Sequence, residues 1–138
     1  MMSRRILLTG ATGLIGRQTI APLKTRGFTI VALTRGRRSV AGADETVVAD
    51  LLDRGAMRAA VRSAAASHLV HLAWHDNVED RWTSPANLDW SAATLQLVRS
   101  FAEAGGRAAV VTGSCAEYDW AGDGVFSGTG PLGHLRGV

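Results

Sequence analysis

Three glycines, Gly10, Gly13 and Gly16, stand where the apolar run Ile6-Leu7-Leu8 gives way to a helical pattern. In that setting each can do a different job. Gly10 allows a tight turn, Gly13 lets the main chain approach a phosphate, and Gly16 lets the new helix pack closely on the strand. The helix that opens there presents free N–H groups and the positive end of its dipole to an anion. The alternative is a strand-to-helix turn that holds no ligand. About 20 residues further on, where NAD binders carry an acidic residue for the ribose 2′-hydroxyl, this chain has Thr34-Arg35-Gly36-Arg37-Arg38. A guanidinium there pairs with a 2′-phosphate, so NADP is favoured over NAD; the alternative is a solvated arginine loop.

Other reactive side chains are weaker candidates. His71 has an apolar neighbour on each side and reads as a satisfied core histidine. His75 and Asp76 are adjacent, and adjacent side chains at a strand end point apart, which argues against a catalytic dyad. Cys115, the single cysteine, excludes an internal disulfide and reads as a small buried residue after a strand.

The elements that must hold these residues follow from pattern. Ile6 to Leu8 is a buried strand, Leu14 to Lys24 a helix containing Pro22 and stopped by Gly27, and Phe28 to Thr34 a second strand. Together they make a right-handed βαβ unit. Thr46 to Ala49 and His68 to Ala73 read as strands three and four, with a helix over Arg54 to Ala66 between them that Asp53 can cap. Pro85 suits the opening of a helix in which Leu88, Ala92, Leu95, Val98, Phe101 and Ala102 repeat at helical spacing. Ala108 to Thr112 is a fifth strand.

Composition sets limits. The chain has 138 residues, enough for one core but not for two full domains. No apolar run has membrane-spanning length and the N-terminus lacks a signal-peptide pattern, so a cytoplasmic location is expected. The net charge is +3, and the arginines are scattered without interleaved aromatics, which argues against nucleic acid as a partner.

The segment Thr9-Gly-Ala-Thr-Gly-Leu-Ile-Gly16 resembles the Thr-Gly-x-x-Gly-x-x-Gly fingerprint of the NAD(P)-dependent epimerase/dehydratase family, the extended short-chain dehydrogenase/reductases. Further matches run to about Tyr118. Residues 121–138, glycine-rich and without a helical or strand period, read as an irregular tail; for residues 1–120 the resemblance implies a Rossmann-type, three-layer α/β domain with a parallel sheet in the order 3-2-1-4-5. It places the cofactor diphosphate over Gly10, Thr12, Gly13, Leu14, Ile15 and Gly16, with Arg35 at the adenosine end. Asp50-Leu51-Leu52-Asp53 is similar to the family's Asp-Leu-x-Asp stretch, which implies that Asp50 and Leu51 contact the adenine. His71-Leu72-Ala73-Trp74 is similar to the family's His-Leu-Ala-Ala segment beside the nicotinamide ribose. Trp74 replaces an alanine there, and either narrows the pocket or offers a flat face to a ring. Trp90 stands where the family commonly has asparagine, and Asn87 lies one turn earlier. Gly113-Ser114-Cys-Ala-Glu-Tyr118 is similar to the family's Ser-x-x-x-Tyr segment, which makes Ser114 the catalytic serine and Tyr118 a structural tyrosine. A serine that only caps the strand end is the alternative.

The family's hydride step also uses a Tyr-x-x-x-Lys pair. With Tyr118 the one tyrosine and Lys24 the one lysine, no such motif can be written in these residues, and a truncated or frame-shifted relative is expected. The implied parent activity is an NAD(P)-dependent epimerase, dehydratase or reductase acting on a nucleotide sugar, and the resemblance leaves a homodimer open. The alternatives are a non-catalytic NADP-binding sensor module and an inert fragment that self-associates through an exposed fifth strand.

Overall fold

A computed structural model describes residues 4–75, 77, 79–115 and 118. Its elements are β1 (Arg5–Thr9), α1 (Gly16–Thr25), β2 (Thr29–Thr34), β3 (Glu45–Val48), α2 (Arg54–Ala64), β4 (His68–His71), α3 (Ala86–Glu103) and β5 (Ala108–Val111). The sheet is parallel throughout, in the order β3-β2-β1-β4-β5. This is the order the sequence predicts. The tail assigned to 121–138, and Asp76, lie outside the described residues.

β1 is buried because it is central, with Leu7 set between Val31 on β2 and Leu69 on β4. Strand alternation sorts its side chains into two cores. Ile6 and Leu8 meet Ile30, Ala32 and Ile20 of α1 on one face. Leu7 joins Val31, Leu33 and Leu69 against Met57 and Val61 of α2, and Leu97 and Phe101 of α3, on the other. Asp53 caps α2 as its position suggests, its Oδ1 accepting from the amides of Gly55 at 2.9 Å and Ala56 at 3.0 Å.

Two readings need correction. Of the helical stripe expected on α3, Phe101 is buried and Val98 packs against the core, but Leu88 and Leu95 are 76% and 71% exposed; Trp90, Leu97 and Ser100 complete the buried face. Both sets satisfy the helical period. Only the position of the sheet chooses between them. Cys115 is exposed rather than buried, because β5 is the outermost strand and its own residues are exposed.

Candidate functional site: a cleft at the strand C-termini

The turn after β1 builds the site. Gly10 has φ of +69°, and a Cβ there would stand 2.8 Å from the amide nitrogen of Ala73. Gly16 is more constrained, since a Cβ would fall 2.0 Å from the Gly10 carbonyl oxygen and 2.7 Å from Ala11 Cα. The close approach at Gly16 is therefore to the turn itself and not, as the sequence suggests, to the strand. Gly13 differs from both: its nearest obstacle is the Gly10 oxygen at 3.3 Å, and its outer side is open. Packing fixes two of the glycines, and the third is free to serve a ligand.

On one side of this turn lies a cavity of about 220 Å³. Gly10, Ala11, Thr12 and Gly13 line it together with Leu72, Ala73 and Trp74. Leu33, Ala49, Leu51 and Trp90 supply apolar surface, and Thr34 and Arg35 the rim. Thr34 Oγ1 accepts from the Gly36 amide at 3.1 Å, which bends the chain after β2 and carries Arg35 over the opening. A second cavity of about 480 Å³ shares Gly10, Gly13, Leu72 and Trp74 with the first, so the two adjoin across these residues. Leu14, Ile15 and Gly16 border it on the α1 side, His75, Asn77 and Arg81 on the other. No carboxylate lines either half among the described residues.

Of the residues singled out by sequence, Asp50 and Ser114 lie outside both linings. Asp50 Oδ1 accepts from the Leu52 amide at 3.0 Å, so its carboxylate turns onto its own loop. Ser114 is exposed, just past the end of β5. Trp74 lines both cavities, is 45% exposed, lies 6.1 Å from the Trp90 ring, and donates from its indole N–H to Asn87 Oδ1.

Beneath the cleft runs a polar network that pattern reading largely missed. His71 is 3% exposed, its Nδ1 is 2.7 Å from Thr9 Oγ1, and its Nε2 is 2.9 Å from Thr94 Oγ1. Thr9 Oγ1 already accepts from the amides of Leu72 at 3.2 Å and Ala73 at 3.3 Å. Its hydrogen must therefore go to His71 Nδ1, which makes Nε2 the protonated nitrogen and the donor to Thr94. One neutral imidazole thus ties β1, β4 and α3 together under the turn. Burial lowers its pKa from the ordinary 6.5. His71 is a satisfied core histidine, as its flanking residues suggest. Its partners, 62 and 23 residues away, carry no local signal.

Asn87, noted in the sequence one turn before the family's asparagine position, has partners that the pattern did not show. Its Oδ1 accepts from Trp74 Nε1 at 3.0 Å and sits 2.7 Å from His75 Nε2, while its Nδ2 donates to the Arg81 carbonyl at 2.9 Å. The indole can only donate and the carbonyl can only accept, so the orientation of this amide is fixed. Lying in the first turn of α3, Asn87 binds the loop after β4 to that helix. His75 is paired with Asn87 here.

A parallel sheet of order 3-2-1-4-5, with a glycine turn and ligand-sized cleft at its switch point, defines a Rossmann-type doubly wound domain. Residues 6–136 match the model of the NAD dependent epimerase/dehydratase family, and the chain belongs to that family. Among curated proteins it is 43% identical over 67 residues to the 3-diazoavenalumate denitrifying reductase of a Streptomyces species, covering 49% of this chain and 22% of the relative. Among solved structures, a short-chain dehydrogenase/reductase superfamily protein from Agrobacterium tumefaciens with bound NAD is 30% identical, with a TM-score of 0.65, over 83% of this chain and 34% of that one. MoeE5 in complex with UDP-glucose and NAD is 28% identical, with a TM-score of 0.73, over 93% and 42%. The chain thus spans well under half the length of each of these relatives. None of the described helices is long and apolar enough to cross a membrane.

Proposed function

We propose that this chain is the nicotinamide-dinucleotide-binding part of a hydride-transfer enzyme of the epimerase/dehydratase family. The observation that carries the reading is the pair of adjoining cavities over Gly13, open where a diphosphate would lie and lined without carboxylates among the described residues. The dinucleotide would lie with its adenosine against Leu33, Ala49, Leu51 and Trp90, and its diphosphate against the amides of the glycine turn. Asp50 would reach the adenine only by leaving its own turn. When bound, the dinucleotide supplies the hydride chemistry, and the residues of this chain orient it and exclude water.

NADP is favoured over NAD because Arg35 stands at the rim with no ion-pair partner among the described residues. The substrate class is a nucleotide sugar. Support comes from the family and from the UDP-glucose held by MoeE5. Ser114, at the C-terminal end of β5, is the candidate to hydrogen-bond the reacting oxygen, and the cytoplasm is the proposed compartment.

The test is calorimetric titration with NADP and NAD on the wild-type chain and on Arg35→Asp. The substitution is expected to weaken NADP by about tenfold more than NAD, the loss of one charge-assisted contact. Equal losses would remove the NADP assignment. No binding of either compound would remove the dinucleotide reading and leave an inert domain.

A further inference from the structure

A third cavity lies away from the cleft. Its volume is about 80 Å³, room for a few waters or one small oxyanion, and it is lined by Arg58, Arg62, Ser100, Glu103 and Ala104. Crossover helices run against the strands of a parallel sheet, so the ends of α2 and α3 that carry these residues lie at the strand N-termini, opposite the glycine turn. It shares no lining residue with the two cavities at the cleft, and its chemistry is independent of the dinucleotide reading.

The polar groups here are unequally satisfied. Ser100 is 7% exposed, and its hydroxyl has no hydrogen-bond partner among the described residues. The sealed unpartnered atom among them is Asp80 Oδ1, so Ser100 Oγ keeps an opening, which is the cavity it lines. Arg58 Nη2 stands 3.7 Å from Glu103 Oε2, outside hydrogen-bond range, and Arg62 has no ion pair among the described residues. Glu103 uses one oxygen: Oε1 accepts from Arg99 Nε at 2.9 Å, and Oε2 accepts no hydrogen bond among the described residues. The Arg99 hydrogen bond, opposed by desolvation and aided by Arg58 and Arg54, holds the Glu103 carboxyl below its ordinary 4.5. Near neutral pH that carboxylate is therefore an ionised acceptor.

We propose that this groove between α2 and α3 binds hydrogen phosphate: Arg58, Arg62 and the Ser100 hydroxyl donate to its oxygens, and Glu103 Oε2 accepts its remaining proton. Donors and acceptor together select the ion. Sulfate has the same shape and charge but no proton near neutral pH, so it faces the Glu103 carboxylate with nothing to share. A helix C-terminus disfavours an anion, and the guanidiniums of Arg54, Arg58, Arg62 and Arg99 around one carboxylate supply the opposing charge.

Residue-resolved amide NMR of the isotope-labelled full chain, titrated with inorganic phosphate and separately with sulfate near neutral pH, tests it. Expected are saturable shifts at Arg62, Ser100 and Ala104, with phosphate bound about tenfold more tightly than sulfate, the worth of one hydrogen bond to a charged group. Glu103→Gln should erase that preference, because an amide can turn its N–H toward sulfate. Arg62→Gln and Ser100→Ala should each weaken phosphate by about tenfold. Circular dichroism checks that the variants are folded. Phosphate shifts confined to Gly10–Gly16, equal affinity of the wild-type groove for the two anions, or wild-type phosphate affinity in both Arg62→Gln and Ser100→Ala would each overturn the proposal.

Discussion

Replacing Thr9 by valine removes one hydroxyl from the interior and almost nothing else. The residue is fully buried and the two side chains have the same shape, so no cavity opens. What changes is polar. His71 Nδ1 loses its donor at 2.7 Å, and an orphaned buried acceptor costs about 1–3 kcal/mol. The Leu72 amide keeps the Thr9 carbonyl at 3.3 Å, and the Ala73 amide borders the cleft, where water replaces the hydroxyl. The added methyl returns up to about 0.8 kcal/mol. The net expectation is a loss of about 1–2 kcal/mol, read as a lower urea midpoint at unchanged slope. A double-mutant cycle gives the sharper test. Once His71→Leu has removed the imidazole, Thr9→Val should cost nothing, so the pair should couple by about 1 kcal/mol or more. Additivity within about 0.5 kcal/mol would refute the hydrogen assignment in this network.

The same histidine sets a pH dependence. Its folded pKa is lowered by burial, so the unfolded chain binds a proton first. Stability should hold above the ordinary value of 6.5 and fall by about 1.4 kcal/mol per pH unit below it, a slope absent in His71→Leu. The lowered carboxylates of Asp44, Glu45 and Glu103 enter only at lower pH, from ordinary values of 3.8 to 4.5. Gly13→Val should abolish binding of both nicotinamide dinucleotides, by titration, in a chain whose circular dichroism is unchanged. Gly16→Ala should fail to fold, since its Cβ would overlap the Gly10 carbonyl at 2.0 Å; a soluble, cooperatively melting Gly16→Ala would contradict the packing. Asp53→Ala should lower the urea midpoint by the equivalent of about 1 kcal/mol through loss of the α2 cap, leaving cofactor affinity unchanged.

What the sequence by itself determined is whatever depends on near neighbours along the chain. Apolar runs bounded by glycine identify β1 and β2, the glycine spacing identifies the turn, and Asp53 ahead of α2 identifies its cap, because each device is completed within a few residues. The strand order followed from the βαβ pattern and the family fingerprint together. The tertiary structure decided what depends on which surfaces meet. Beside Phe101, it chose Trp90 and Leu97 over Leu88 and Leu95 as the buried face of α3, and it left Cys115 exposed beside the outer strand. It also joined Thr9 to His71 and Thr94, and Trp74 and His75 to Asn87. A hydrogen bond between residues 62 apart has no period and no local propensity. It exists only because the sheet sets β1 beside β4, and so the polar framework under the cleft stayed out of sight until the chain was folded.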